Sequence, residues 1–125
     1  MRFTMVQMEE AMEATFAELR QLRIAGQHEY AHDKDSAFAN FERVGAELDI
    51  DPIKVALCYA LKHKDGICAW AKGHISQRED VSGRINDLIV YLCLIKEMFR
   101  MRQLDDTCDA ARQRIEKSQK VQGTA

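Results

Sequence analysis

The sequence predicts an all-α protein, a single-domain bundle of four to five helices, and three observations favour this prediction. Apolar residues recur at steps of three and four along most of the chain, which is the spacing of one helix face. Strand-like alternation of apolar and polar residues is nearly absent, and proline occurs once. The length of 125 residues is typical of one domain. We expect that domain at residues 1–117 and a flexible tail at residues 118–125.

The first helix is predicted to run from about Thr4 to Ile24, and Gly26 ends it. Its apolar residues form one stripe, because they follow one another at steps of three or four. A stripe rich in methionine at this spacing is typical of a core face or of a face that packs against a partner helix. The stripe consists of Met5, Met8, Met12, Phe16, Leu19 and Leu22.

The second and third helices begin at capping residues. Asp35 or Ser36 can cap the second helix. The third helix is predicted to begin with Asp51 as its N-cap and Pro52 at its first helical position, and to continue to about Lys72. The inward-facing residues of the second helix are Phe38, Phe41, Val44 and Leu48.

A polar loop at residues 73–80 separates the third helix from a fourth, which we expect from about Val81 to Met101. The stretch from Leu88 to Ile95 is apolar on every face, which indicates a central helix. A fifth helix is predicted from Leu104 to about Lys117. Its apolar stripe is weak, so we expect it on the surface.

Composition excludes several classes of partner and compartment. The net charge of −2 does not favour attraction to duplex nucleic acid or to an anionic membrane. The start of the chain lacks the pattern of a signal peptide, and no apolar run is long enough to span a bilayer. The four cysteines form no C-x-x-C pair and fall in apolar helical patterns, so we expect reduced, mostly buried thiols in a cytoplasmic protein.

The stretch HEYAH, residues 28–32, fits the zinc-binding pattern H-E-x-x-H. A zinc hydrolase needs this motif inside a packed helix, with a third ligand at a fixed spacing. Here the flanking residues are polar, and no third ligand occurs at that spacing. Two interpretations remain, a solvated helix end or a functional loop. The alternation of charged residues with Phe38 and Phe41 favours the functional loop.

The fourth helix carries polar residues beside its apolar stretch. Arg84, Asp87 and Tyr91 lie on one face at steps of three and four, and Asp80 precedes them by one turn. A charge near a core helix costs several kcal/mol unless it is paired or bound to an ion. This face therefore either contains an Arg84–Asp87 ion pair or lines a pocket.

The third helix offers polar residues that match this face. Lys62, His63 and Asp65 interrupt its apolar pattern. His63 can be a structural histidine, and Lys62 with Asp65 can be an exposed pair. The alternative is a cationic lining suited to phosphate groups, together with carboxylates suited to a hard cation such as Mg²⁺. The lining would comprise Lys62, His63, Arg78 and Arg84, and the carboxylates would be Glu29, Asp33, Asp35 and Asp87.

At these residues the chain resembles small phage and prophage proteins of the nucleotide-modification-associated type. The resemblance covers about residues 27–100 and rests on the segments DKDSAFANF, KHKD and RINDLIVY. That group is similar to the MazG-like, all-α nucleoside triphosphate pyrophosphohydrolases. The resemblance implies a helical bundle around Mg²⁺ that splits a nucleoside triphosphate into a monophosphate and pyrophosphate.

The chain departs from the metal-binding pattern of those enzymes, which is E-E-x-x-E on one helix and E-x-x-D on a later one. Asp87 matches the aspartate of E-x-x-D, but Arg84 stands in place of the glutamate. An E-E-x-x-E occurs at Glu9, Glu10 and Glu13, far upstream on the helix with the methionine stripe. Glu29, Asp33 and Asp35 would have to replace that set. An arginine at a metal position favours anion binding over catalysis.

Three hypotheses follow for function. The first is a Mg²⁺-dependent pyrophosphohydrolase, and the second is a non-catalytic nucleotide binder that sequesters a cyclic nucleotide messenger. The third is a helical interaction protein with no small ligand. Under each we expect a homodimer or a higher homo-oligomer, in the cytoplasm of the bacterial host if a phage encodes it. For the enzyme, we expect the phosphates to contact Lys62, Arg78 and Arg84, and the metal to be held by Asp33, Asp35 and Asp87. The residues expected to contact the base or line the pocket are Tyr30, Trp70 and Tyr91. The residues expected to orient water are Glu29 and His63.

Overall fold

The computed structural model describes residues 1–31, 36–75 and 78–123, and of residues 30 and 31 it describes the backbone alone. The described part of the chain contains helices and no strand, which confirms the all-α prediction. A short π-helix follows the first α-helix directly. The elements are α1 (Met5–Gly26), the π-helix (Gln27–Ala31), α2 (Ala39–Leu48), α3 (Pro52–Ala71) and α4 (Val81–Gln122).

The chain divides into two compact units, Met1–Ile95 and Lys96–Ala125. The first unit holds α1, α2, α3 and the beginning of α4. The second is formed by the rest of α4, in which almost every residue is exposed. The boundaries of the predicted domain and tail stay a prediction.

The fourth and fifth predicted helices are one helix, so the expected break between Met101 and Leu104 is wrong. No glycine or proline occurs between Arg84 and Gln122, so nothing in the local backbone interrupts the hydrogen-bonding pattern. The helix also continues past the predicted end at Lys117. A weakening of the apolar stripe marks less burial and does not by itself end a helix.

Side chains cap α1 and α3 at their N-termini. The Thr4 hydroxyl accepts a hydrogen bond from the Gln7 backbone N–H at 3.2 Å, and the Gln7 side chain accepts one from the Thr4 N–H at 2.9 Å. Asp51 accepts a hydrogen bond from the Ile53 N–H at 2.9 Å, ahead of Pro52 in the first turn. The predicted start of the third helix is confirmed.

The cap of α2 differs from the prediction. Phe38 stands at the N-cap position and makes no capping hydrogen bond through its side chain. Ser36 lies too early in the chain, and its backbone carbonyl accepts a hydrogen bond from the Gln27 side chain at 2.6 Å. Asp35 lies outside the described residues.

A small core joins the helices of the first unit. Phe41 of α2 is only 3% exposed, and its ring lies 6.2 Å from the ring of Tyr59 in α3 and 6.1 Å from that of Tyr91 in α4. Asn86 of α4 donates a hydrogen bond to the Glu18 carboxylate of α1 at 3.0 Å. The buried apolar residues of this unit are Leu19, Phe41, Val55, Ala56 and Ala60.

The remaining apolar residues of α1 are exposed. Met5 is 77% exposed, and Met8, Met12 and Phe16 also lie largely in solvent, so Leu19 is the buried member of the stripe. The stretch from Leu88 to Ile95 is not buried as predicted: its residues are half-buried or exposed within the chain. The all-round apolar pattern therefore does not report burial inside this one chain.

The cysteines also differ from the prediction. All four are free, as expected, but all four are exposed rather than buried. No helix in the described part of the chain is both long enough and apolar enough to cross a membrane.

Candidate functional site

A cleft of about 600 Å³ opens in the first unit among α1, the π-helix, α2, α3 and α4. Its volume falls within the range of ligand pockets, about 300–1,000 Å³. The cleft collects polar residues from all of these elements and from the loop before α4. Its polar and aromatic lining includes Arg23, Glu29, Asn40, Phe41, Arg43, Tyr59, Lys62, His63, Glu79, Asp87 and Tyr91.

An aromatic wall forms one side of this cleft. The rings of Tyr59 and Tyr91 are stacked, with centroids 5.7 Å apart and planes 8° from parallel. The His63 imidazole stacks on Tyr91 as well, at 5.6 Å and 22°. Phe41 packs against both tyrosines at a tilt. Phe41 is buried and Tyr91 contacts three neighbouring rings, so the wall presents a stable surface to the cleft.

Beside the wall, His63 lies between two carboxylates. Its Nδ1 is 3.8 Å from the Glu79 Oε2, and its Nε2 is 3.8 Å from the Asp87 Oδ2. One ligand atom from each of the three residues lies within 4.8 Å of the others. His63 is buried, whereas Glu79 and Asp87 are partly exposed. We call these three residues the imidazole–carboxylate cluster.

Arg84 contacts this cluster through Glu79 and not through Asp87. Its Nη1 lies 3.7 Å from the Glu79 Oε2. The guanidinium fits against α3 because residue 66 is glycine: a Cβ there would meet the Arg84 Nη1 at 2.5 Å. Of the two alternatives for this face, the Arg84–Asp87 ion pair is not formed: Arg84 pairs with Glu79, and His63 lies between Glu79 and Asp87.

Three basic side chains line the cleft. Arg23 donates a hydrogen bond to the Ala37 carbonyl at 3.5 Å, and Arg43 donates one to the Asn40 side chain at 2.9 Å. Lys62 is exposed at the edge of α3. These positively charged side chains can attract an anionic ligand into the cleft.

Asp65 pairs with Lys64 instead of Lys62. The Lys64 ammonium donates a hydrogen bond to the Asp65 carboxylate at 2.9 Å. This hydrogen bond and the nearby negative charge raise the pKa of Lys64 above its usual value. Of the two alternatives for Lys62, the exposed pair with Asp65 is not formed, and Lys62 lines the cleft.

The structure brings together five of the residues predicted for a site, and it distributes the others elsewhere. Glu29, Lys62, His63, Asp87 and Tyr91 line the main cleft. Asp33, Asp35 and the Tyr30 side chain lie outside the described residues. The carboxylates of the upstream E-E-x-x-E motif, Glu9, Glu10 and Glu13, lie on exposed positions of α1.

Trp70 and Arg78 belong to a second cleft of about 460 Å³. This cleft lies between the end of α3 and the start of α4, and Trp70 is 55% exposed there. Glu79 lines both clefts. The predicted cationic lining is thus divided, with Lys62 in one cleft and Arg78 in the other.

Sequence reasoning did not single out Arg23 or Glu79. Glu79 lies in the charged run R-E-D at residues 78–80, so its position just before a polar helix face was an available signal. Arg23 gave no comparable signal, because a basic residue near the end of a helix is common on solvated surfaces.

The donor atoms of the cluster fit a divalent cation. Two carboxylates are sufficient protein ligands for Mg²⁺, which usually takes its remaining ligands from water and phosphate. Asp87 and Glu79 each offer one carboxylate to the cluster, and Glu79 is not among the metal ligands that the sequence predicts. The third donor is an imidazole nitrogen, which magnesium-binding proteins seldom use.

Comparisons with protein-family models, with curated protein sequences and with solved structures find no match to the chain. The resemblance to nucleotide-modification-associated proteins therefore stays a prediction.

Proposed function

We propose that the main cleft binds a nucleotide together with a divalent cation, and that the protein hydrolyses a nucleoside triphosphate to a monophosphate and pyrophosphate. The observation that carries this proposal is the convergence of three kinds of group on one cleft. Lys62 and two arginines, the aromatic wall and the imidazole–carboxylate cluster all line it. Each kind of group matches a different part of a metal–nucleotide complex.

The phosphates are assigned to the basic groups of the cleft. Lys62 supplies an exposed ammonium on α3, and Arg23 supplies a guanidinium at the end of α1. Hydrogen bonds from such cations to phosphate oxygens are roughly twice as strong as neutral ones. Arg84 lies next to Glu79, close enough to the cluster to add a third positive charge.

The base is assigned to the aromatic wall. Tyr59 and Tyr91 already stack in parallel, and a planar base can extend such a stack. Stacking of a base on an aromatic side chain contributes about 1–3 kcal/mol and tolerates every base. The wall therefore supports nucleotide binding without selecting one base.

The cation is assigned to Glu79 and Asp87, and the resemblance implies that it is Mg²⁺. A bound divalent cation offsets the charge that develops on the phosphate oxygens during hydrolysis. His63 and Glu29 line the same cleft, so either can accept a proton from the attacking water or orient it. Trp70 and Arg78 line the second cleft and have no role in this proposal.

Substitution of Lys62 tests the nucleotide site. We expect Lys62→Gln to weaken nucleoside triphosphate binding about tenfold or more, since a hydrogen bond from a charged group contributes about 1.5–3 kcal/mol. Lys64→Gln is the matched control, because Lys64 lies two residues away and pairs with Asp65. Isothermal titration with a panel of nucleoside and deoxynucleoside triphosphates in Mg²⁺ gives the affinities. Absence of binding to every nucleotide in the panel would reject the proposal.

A non-catalytic nucleotide binder is the second candidate, and the position of Arg84 favours it. The guanidinium lies 3.7 Å from a carboxylate of the cluster, where it competes with a metal ion for negative charge. This candidate predicts binding in EDTA and recovery of the ligand unchanged, including cyclic nucleotides. Release of pyrophosphate from a bound triphosphate would exclude it.

We also propose that the protein is a cytoplasmic homo-oligomer, in the bacterial host cell if a phage encodes it. We assign the exposed apolar stripe of α1 to the interface with a second copy of the chain. Met12 and Phe16 lie in that stripe, and no large side chain among the described residues is completely buried. Contiguous apolar surface of this kind marks an interaction site.

Light scattering tests the oligomer directly. The wild-type protein is expected to have at least twice the mass of one 14.4 kDa chain. The double substitution of Met12 and Phe16 by glutamate is expected to lower the mass to that of a monomer, because it places charges in the apolar interface. Glu10→Gln, on an exposed position of the same helix, serves as the control. A monomeric wild-type protein would contradict the proposal.

A further inference from the structure

We infer that His63, Glu79 and Asp87 form a binding site for a first-row transition-metal dication such as Mn²⁺, and that the site prefers such an ion to Mg²⁺. The ion would lie in the main cleft, so its role in function rests on the proposed function; with His63 as a metal ligand, the orientation of the attacking water falls to Glu29. Its binding does not require a nucleotide, because all three protein ligands come from this chain. The site differs from the carboxylate set of Asp33, Asp35 and Asp87 that the sequence suggests.

The distances in the cluster are compatible with coordination. The three ligand atoms lie within 4.8 Å of one another. Nitrogen and oxygen ligands about 2.1 Å from one ion lie about 3.0 Å apart at neighbouring corners of an octahedral site, the geometry typical of Mn²⁺. The ligand atoms therefore need to approach one another by up to about 1.8 Å. Glu79 and Asp87 are partly exposed, so rotation of their side chains can close this gap.

The burial of His63 supplies independent support for a ligand. The residue is only 5% exposed. Its Nδ1 is buried and has no hydrogen-bond partner among the described residues. The nearest carboxylate oxygen, on Glu79, is 3.8 Å away, which is too far for a hydrogen bond. A buried polar atom without a partner is unfavourable, and coordination to a cation would satisfy it.

The identities of the ligand atoms favour a transition metal over magnesium. Mg²⁺ prefers oxygen ligands and strict octahedral geometry. Imidazole nitrogen binds ions such as Mn²⁺, Fe²⁺ and Zn²⁺ more strongly than it binds Mg²⁺. The two carboxylates suit Mn²⁺ and Mg²⁺ alike, so the imidazole is the ligand that favours Mn²⁺. Three protein ligands also leave positions open for water or phosphate oxygens, as in catalytic metal sites.

Substitution of Arg84 distinguishes a metal site from a network of ion pairs that binds no metal. Its guanidinium lies beside Glu79, so a bound cation experiences its positive charge. Removing this charge by Arg84→Gln is expected to tighten Mn²⁺ binding by about threefold or more. A network that binds no metal would give no such change.

Mn²⁺ alone is the probe for the experiment. Zn²⁺ is less suitable, because the four exposed cysteines offer it competing thiolate ligands. The full-length protein is stripped with EDTA, dialysed and titrated with MnCl₂ without nucleotide, and EPR reports the free ion. We expect saturation at one Mn²⁺ per chain. Competition with MgCl₂ is expected to show at least about tenfold weaker binding of Mg²⁺.

Variants connect the bound ion to the cluster. Glu79→Gln and Asp87→Asn are each expected to weaken Mn²⁺ binding about tenfold or more, since each replaces a charged ligand by a neutral one of the same size. Glu42→Gln, an exposed position on α2 outside the cleft, is expected to change nothing. Thermal melting of each variant shows whether the fold is retained. His63→Gln is a third variant, to be used if its melting temperature stays close to that of the wild type.

The outcomes distinguish this site from the proposed function. Absence of saturable Mn²⁺ binding, equal affinities for Mn²⁺ and Mg²⁺, or a wild-type affinity for Mn²⁺ in both carboxylate variants would overturn the metal site. Mn²⁺ binding without binding of any nucleotide would retain the metal site and reject the proposed function. Nucleotide binding without Mn²⁺ binding to the free protein would overturn the metal site, and release of pyrophosphate would then decide between the proposed hydrolysis and the non-catalytic binder.

Discussion

Asp87→Asn is expected to lower pyrophosphate release from a nucleoside triphosphate by about 100-fold or more. A metal ion that offsets charge on phosphate oxygens contributes several kcal/mol to transition-state stabilisation, and each 1.36 kcal/mol corresponds to about tenfold in rate. The Asp87 carboxylate lines the main cleft and lies 3.8 Å from His63. An asparagine has nearly the same shape but carries no charge, so it weakens the binding of the ion without changing the shape of the cleft.

The measurement is a coupled pyrophosphate assay at saturating Mg²⁺ and, separately, at saturating Mn²⁺. Asp65→Asn is the matched control, because Asp65 is an exposed carboxylate on α3 that pairs with Lys64 outside the cleft. We expect this control to retain the wild-type rate. Nearly equal rates for wild type and Asp87→Asn would contradict the assigned role of Asp87. A wild-type protein that binds nucleotides but releases no pyrophosphate would leave only the non-catalytic binder.

Gly45→Ala is expected to reduce the free energy of unfolding by about 1–3 kcal/mol, the usual cost of overpacking. Gly45 is buried in α2, where the chain turns into α3. A Cβ at this position would lie 2.7 Å from the Ile50 carbonyl oxygen and 3.4 Å from Pro52. The segment cannot move away easily, because the Ile50 N–H donates a hydrogen bond to the Gly45 carbonyl at 3.0 Å. A backbone oxygen therefore meets the added methyl group directly.

Gly83→Ala is a control with the same chemical change, and we expect it to raise the free energy of unfolding where Gly45→Ala lowers it. Gly83 is exposed in the first turn of α4, and a Cβ there meets nothing within 4 Å. Alanine should therefore stabilise the protein by about 0.4–1 kcal/mol, since it restricts the unfolded chain and favours the helix. Thermal and urea unfolding measure both variants. A stabilising effect of Gly45→Ala would show that the α2–α3 turn does not approach Gly45 as closely as described.

The helices and the Asp51 cap of α3 were predictable from the sequence, whereas the cap of α2 was not. Thr4 and Asp51 lie within a few residues of the backbone N–H groups that they cap, so the signal and its effect are local. The joined fourth and fifth helices were missed because the prediction treated a loss of apolar periodicity as a break. Helix continuity depends on the backbone, and nothing between Arg84 and Gln122 prevents it.

Part of the candidate site was also predictable. Lys62, His63 and Asp87 interrupt apolar helices at helical spacing, which indicates that they face a polar environment. Their grouping with Glu79 and Arg23 was not predictable, because these residues come from a loop and from the end of another helix. Trp70 and Arg78 were expected in the same lining, yet Trp70 lies at the end of α3 and both residues line the second cleft.

The sequence by itself determined the all-α class, the start of α1 and α3, and which helix faces carry polar residues, because each depends on interactions between residues a few positions apart. The tertiary structure alone decided that Arg84 pairs with Glu79, that His63 lies between two carboxylates, and that the cysteines and the methionine stripe are exposed. Such contacts depend on how helices rotate and pack against one another. Small changes in packing that leave every local pattern intact can exchange one side-chain partner for another.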